Sequence, residues 1–259
     1  MFANKAIKFI GLGWTGFILE NVVMSHNRDW IISEFGDHKY HMTYNVLSTA
    51  ACSSILYGYI KHGRKSGPLV PCKGIPGIVA SLVLQTIGFG IISQQLPKLQ
   101  MPVGVKSETK PEATNNAINT TGGSALFVRC PMDFRPPDVP ADGVYGTMKI
   151  SRHAAFWSFG MVCAGEALTT VFLPEVVMFS FPIVFALIGS EHQDYRYRRN
   201  SGGSLTPEFE RITSNIPFMA LLRGKQSWSE LYNEIKWTNA SVGVSIALAF
   251  ALRNLRRLK

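Results

Sequence analysis

Several windows of about 16–20 residues carry almost no charge, and they constrain this chain more than anything else in it. Such a window matches the thickness of a bilayer's hydrocarbon core. In lipid every backbone N–H and C=O must find an internal partner, so these windows are assigned as helices. Five run over Ile7–Met24, Thr43–Ile60, Gly77–Leu96, His153–Phe172 and Glu175–Gly189. A sixth, Ala240–Leu252, is short for a full crossing and is read as tilted, interfacial or spanning a thinned bilayer. The expected fold is all-α, a polytopic transmembrane helical bundle of five to six spans. It forms one domain over residues 1–259 with long extramembrane loops.

The polar remainder fits that plan. Residues 97–148 hold "ETKPEATNNAINTTGGS", a composition that reads as flexible coil, followed by the proline-rich "CPMDFRPPDVPADG". "NRDWIISEFGDHKYH" mixes Trp30, Ile31, Ile32 and Phe35 with charges, as an interfacial amphipathic segment does. Only "LPE" around Pro174 separates the fourth and fifth apolar windows, which predicts a tight antiparallel hairpin. "SWSELYNEIKW" predicts a short helix with Ser227 as N-cap and Glu230 at N3. "GLGWTG" and "STAACSS" place small residues where helices would pack closely. The first apolar run has neither a small-residue cleavage site nor an Arg- and Ser-rich flank, so it reads as a retained span.

A net charge of +9 leaves two ordinary partners, nucleic acid and an anionic membrane surface. The basic residues flank the apolar runs, as in "KHGRK", "YRYRR" and "RNLRRLK". Anionic lipid is therefore expected and nucleic acid is not. Arg152, His153, Arg196, Arg198 and Arg199 are the headgroup candidates. The four cysteines form no CxxC, which argues against zinc. A Cys72–Cys130 disulfide has no positive support. His38 and His41 could share a helical face but lack a third ligand, so no metal is expected.

Glu20 and Glu166 stand out because ionisable residues inside spans are costly and rarely face lipid. Each is a proton relay, a ligand, or a carboxyl hydrogen-bonded to a helix partner such as Asn21, Ser48 or Thr49. No series of acids crosses the bilayer, which favours the hydrogen-bonded reading. No P-loop, GxGxxG, GxSxG or HExxH occurs, and no catalytic residue is assigned.

Arg28, "KGIPGI", "ISRH", "HQDYRYRR" and "TSNIPFMALLRGKQSWSEL" occur in order along the chain. In these it resembles the NnrU family of polytopic membrane proteins, which includes the ζ-carotene isomerases, heme b enzymes. The resemblance implies a ligand histidine in the first span and another in the fourth, three residues after a cysteine. Here those positions fall on or beside Asn21 and on Glu166, with Cys163 as the cysteine. A carboxylate and an amide are a poor axial pair for heme iron. The resemblance thus implies a divergent member with no retained heme. The expected role is a non-catalytic accessory subunit among other membrane subunits, with bound phospholipid such as cardiolipin. The mitochondrial inner membrane and a respiratory-chain complex are the expected home, a plastid membrane the other. A heme b-dependent carotenoid cis–trans isomerase is the alternative.

Overall fold

The computed structural model describes residues 2–99, 103–106, 125–128, 132–133 and 140–256. It is nearly all-α. Each apolar window forms a helix: α1 (Phe2–His26), α3 (Asp37–Gly58), α4 (Gly74–Gln95), α6 (Ala154–Thr169), α7 (Leu173–Arg198) and α11 (Trp237–Arg256). Between α1 and α3 lies the amphipathic α2 (Arg28–Phe35), and a π-helical turn, Tyr59–Gly63, ends α3. Shorter helices are α5 (Thr147–Ile150), α8 (Pro207–Ile212), α9 (Met219–Leu222) and α10 (Trp228–Glu234). Ser227 caps α10 by accepting from the Glu230 N–H, as its sequence predicts.

By length and composition, α1, α4 and α7 are fit to cross a membrane among the described residues. A fourth crossing arises if α10 and α11, bent by 90° at Ile235–Lys236, count as one broken span. Large apolar side chains stay exposed along the long helices, among them Leu12, Leu19, Val46, Val79, Val83, Leu187 and Ile246. A water-soluble fold rarely leaves so much apolar surface bare, whereas lipid solvates it at no cost. These features make the chain an integral membrane protein.

Close contact comes from small residues. A Cβ on Gly88 of α4 would stand 2.8 Å from the Ser158 carbonyl of α6, and one on Gly243 of α11 2.8 Å from the Phe89 carbonyl of α4. Gly13 of α1 packs on Ile55 of α3, while Gly11 and Gly16 meet no neighbour. The order of packing is therefore α11 on α4, α4 on α6, α6 on α7, and α7 on α1, with α3 against α1. Trp14 of α1 stacks on Phe181 of α7, with Ile10 and Ile55 completing that core.

The bend before α11 has a local cause. Lys236 donates from Nζ to the carbonyls of Gln94 (2.9 Å) and Leu96 (2.8 Å), groups that the end of α4 leaves unpaired. Asn239 donates to the Ser93 and Pro97 carbonyls and accepts from the Leu99 N–H. The polar loop holds two antiparallel strand pairs. These are β1 (Lys98–Leu99) with β4 (Met132–Asp133), and β2 (Val103–Lys106) with β3 (Ala125–Val128). The stretch expected as coil between β2 and β3, and Cys130, lie outside the described residues.

Candidate functional site

The "ISRH" and "HQDYRYRR" stretches meet on one carboxylate. Asp194, nearly at the end of α7, is 1% exposed. Its Oδ2 takes Arg152 Nη2 at 2.5 Å, and its Oδ1 lies 2.7 Å from His153 Nε2. Arg152 also donates to Thr213 Oγ1 (3.0 Å) and, from its backbone, to the Ser214 carbonyl. Ser151 and Trp157 reach Asn215 in turn. Arg152 and His153, expected at lipid phosphates, are thus turned inward and tie α6, α7 and the "TSN" stretch together. A buried carboxylate needs such partners, because desolvating it alone would cost several kcal/mol. Arg198 is likewise engaged, by Glu210 of α8 at 2.6 Å. The guanidinium beside Glu210 holds that carboxyl below the usual glutamate range, against a weaker opposing effect of burial. Arg196 and Arg199 have no carboxylate partner among the described residues. They lie over the rings of Tyr197 and Tyr195.

A second node was not legible in the sequence. Lys149, with its side chain 3% exposed, donates to Glu230 (2.7 Å) and Glu234 (2.8 Å) of α10. Burial alone would depress its pKa, but the two carboxylates raise it above the usual lysine range.

Glu20 and Asn21 face α3. Ser48 donates to both Glu20 oxygens, at 3.1 and 3.0 Å, and Asn21 Nδ2 donates to Glu20 Oε2 at 3.0 Å. Asn21 also donates to the Phe17 carbonyl and accepts from the Tyr44 hydroxyl. Glu166 is held elsewhere, by Arg253 of α11. Nη2 lies 2.7 and 2.8 Å from its two oxygens. This partner, 87 positions along the chain, gave no signal in the sequence. Cys163 lies half-buried one turn earlier on α6.

Asn21 and Glu166, where the resemblance put the ligand positions, do not come together. Asn21 borders a small cavity with Phe156, Gln193 and Arg196, where α6 begins and α7 ends. Glu166 borders a different cavity with Tyr59, Arg64 and Phe172, where α6 ends and α7 begins. Phe156 and Glu166 are ten residues apart on one helix, or about 15 Å of rise.

The chain matches the family described as NnrU protein over residues 10–254, nearly its whole length. It belongs to the NnrU family. No curated protein and no solved structure matches it.

Membership sharpens the question of heme b, whose ligand positions the resemblance placed on or beside Asn21 and on Glu166. These residues do not fit an iron porphyrin. They stand at opposite ends of the bundle, so one iron could not bridge them, and each is engaged by hydrogen bonds or an ion pair. His26 and His192 do approach, with ring centroids 5.9 Å apart, but they lie at the end of α7 remote from Glu166. His26 also stacks on Tyr195. Three of the motifs in this NnrU protein, "ISRH", "HQDYRYRR" and "TSN", meet in the tertiary lock on Asp194.

Proposed function

We propose that this NnrU protein is a non-catalytic accessory subunit that braces a larger energy-converting membrane assembly. Its home in this reading is a respiratory-chain complex of the mitochondrial inner membrane, and it crosses the bilayer five or six times. One observation carries the reading. The two positions that the family resemblance marks for heme ligation are bound into the scaffold, Asn21 to Tyr44 and Glu20, Glu166 to Arg253. Groups that a cofactor enzyme keeps available for iron here serve helix packing.

Two further features support a place among partners. Apolar side chains are exposed outside the candidate spans as well, including Trp30 and Phe35 of α2, Ile216 and Leu222. Lipid does not cover all such surface, and aromatic patches of this kind favour protein contact. Arg196 and Arg199, without carboxylate partners among the described residues, are suited to anionic lipid such as cardiolipin at the membrane edge.

The test is an absorbance spectrum of the chain purified in mild detergent, taken with a count of the proteins that accompany it. The expected result is no Soret band and a stable set of membrane subunits. A Soret band at one heme per chain would overturn the reading in favour of a heme-dependent isomerase.

A further inference from the structure

The cavity beside Glu166 has a chemistry of its own. Its volume is about 300 Å³, and it lies where the π-helical turn and the ends of α6 and α11 meet the starts of α4 and α7. Four cations line it: Arg64, Lys65, Lys73 and Arg253. Two carboxylates line it as well, and both are already engaged. Glu166 holds Arg253, while Glu175 accepts the Lys65 N–H at 2.9 Å and the Thr170 hydroxyl. Arg64, Lys73 and the Lys65 ammonium have no carboxylate within ion-pair distance among the described residues.

Two more observations point the same way. α4 opens onto the cavity at Gly74, and no side chain caps its first turn. The N-terminus of a helix this long favours an anion. Independently, Asn254, 3% exposed, lines the cavity with its Nδ2 donor unpartnered. A buried donor without an acceptor is costly, and an acceptor in the cavity would recover that cost. The excess charge, the open helix start and the orphan donor all call for an anion rich in acceptor oxygens.

We propose that this cavity binds a phosphate group, held by Arg64, Lys73, the start of α4 and Asn254. Beside the cavity, exposed Leu69 pairs with Phe172 of its lining and exposed Ile75 follows Gly74, and Ile75 continues into the bare face of α4 at Val79 and Val83. That apolar edge suits a phospholipid headgroup whose chains run along α4, while the polar floor suits a free phosphate equally. The site does not depend on the accessory-subunit reading, which would stand without it.

The test reconstitutes the full chain in nanodiscs of phosphatidylcholine, with and without phosphatidylglycerol, and titrates inorganic phosphate in detergent as a separate arm. Retention of lipid by native mass spectrometry and the melting temperature are read together. Retained phosphatidylglycerol with a raised melting temperature assigns the site to lipid. Stabilisation by inorganic phosphate without lipid selectivity assigns it to the free anion. In either case the double variant Arg64→Gln with Lys73→Gln, which alters exposed side chains only, should bind roughly tenfold more weakly or worse. Lys61→Gln, an equally exposed cation outside the cavity, should bind as the unaltered chain does. No response to either probe, or equal binding by the double variant and the Lys61→Gln control, overturns the proposal.

Discussion

At the scale of single residues, the carboxylates decide how this chain is read. Asp194 is buried against Arg152 and His153, so Asp194→Asn would leave a guanidinium in the interior with no counter-charge. Breaking a buried pair from one side costs about 3–5 kcal/mol. The expected outcome is a large drop in melting temperature in detergent; an unchanged melt would place Asp194 outside the lock described above. Glu210 is different, since it and Arg198 are partly exposed. Its pKa is depressed, so its contribution is present above the usual glutamate value and is lost as pH falls through the lower folded value. Screening by solvent keeps it small, on the order of 0.5 kcal/mol. Glu210→Gln should therefore melt slightly below the unaltered chain at neutral pH, and the two curves should converge in acid. Glu20 and Glu166 are both bound to neighbours. Replacing each with Gln should leave membrane potential and growth unchanged in cells that depend on the protein; a loss of potential would show that they carry protons. What the sequence did not disclose at this scale are partners far along the chain, such as Arg253 for Glu166, because pairing across helices depends on which helices end up adjacent.

The helices themselves were far more legible. Charge-free windows give helices because lipid leaves the backbone no other choice, and every window expected became one. Their ends were less so. The fifth window stops at Gly189 by hydropathy, yet α7 runs on to Arg198. The extra turns are polar and still helical because Asp194 and its neighbours are gripped from α6 and the segment after it. The polar loop also carries paired strands on either side of the stretch read as coil, since "VGVK" and "ALFV" are short enough for the alternation to pass unnoticed. Packing of α4 on α6 depends on Gly88. In Gly88→Val the new side chain would press on the Ser158 carbonyl and Val162, at 2.8 and 2.7 Å from its Cβ. Overpacking of this kind costs about 1–3 kcal/mol. The variant should melt earlier or fail to accumulate, whereas Gly11→Ala, which meets nothing within 4 Å, should be neutral.

For the molecule as a whole, the fold is that of an NnrU-family membrane bundle in which Asn21 is bonded to Tyr44 of α3 and Glu166 to Arg253 of α11. Its bare apolar belt requires lipid, and exposed residues outside the candidate spans, such as Trp30, Phe35 and Ile216, favour a neighbour. The family was legible in the sequence because its motifs stand in order along the chain, and three of them meet on Asp194. The separation of Asn21 from Glu166 was not, because counting along the chain gives no direction across a bundle. The claim that the protein is a brace within an assembly is tested most directly by native gel electrophoresis of mildly solubilised membranes. The account predicts that the chain migrates with a complex many times its own mass of 28.7 kDa. Migration as a free monomer under conditions that keep neighbouring complexes intact would contradict it.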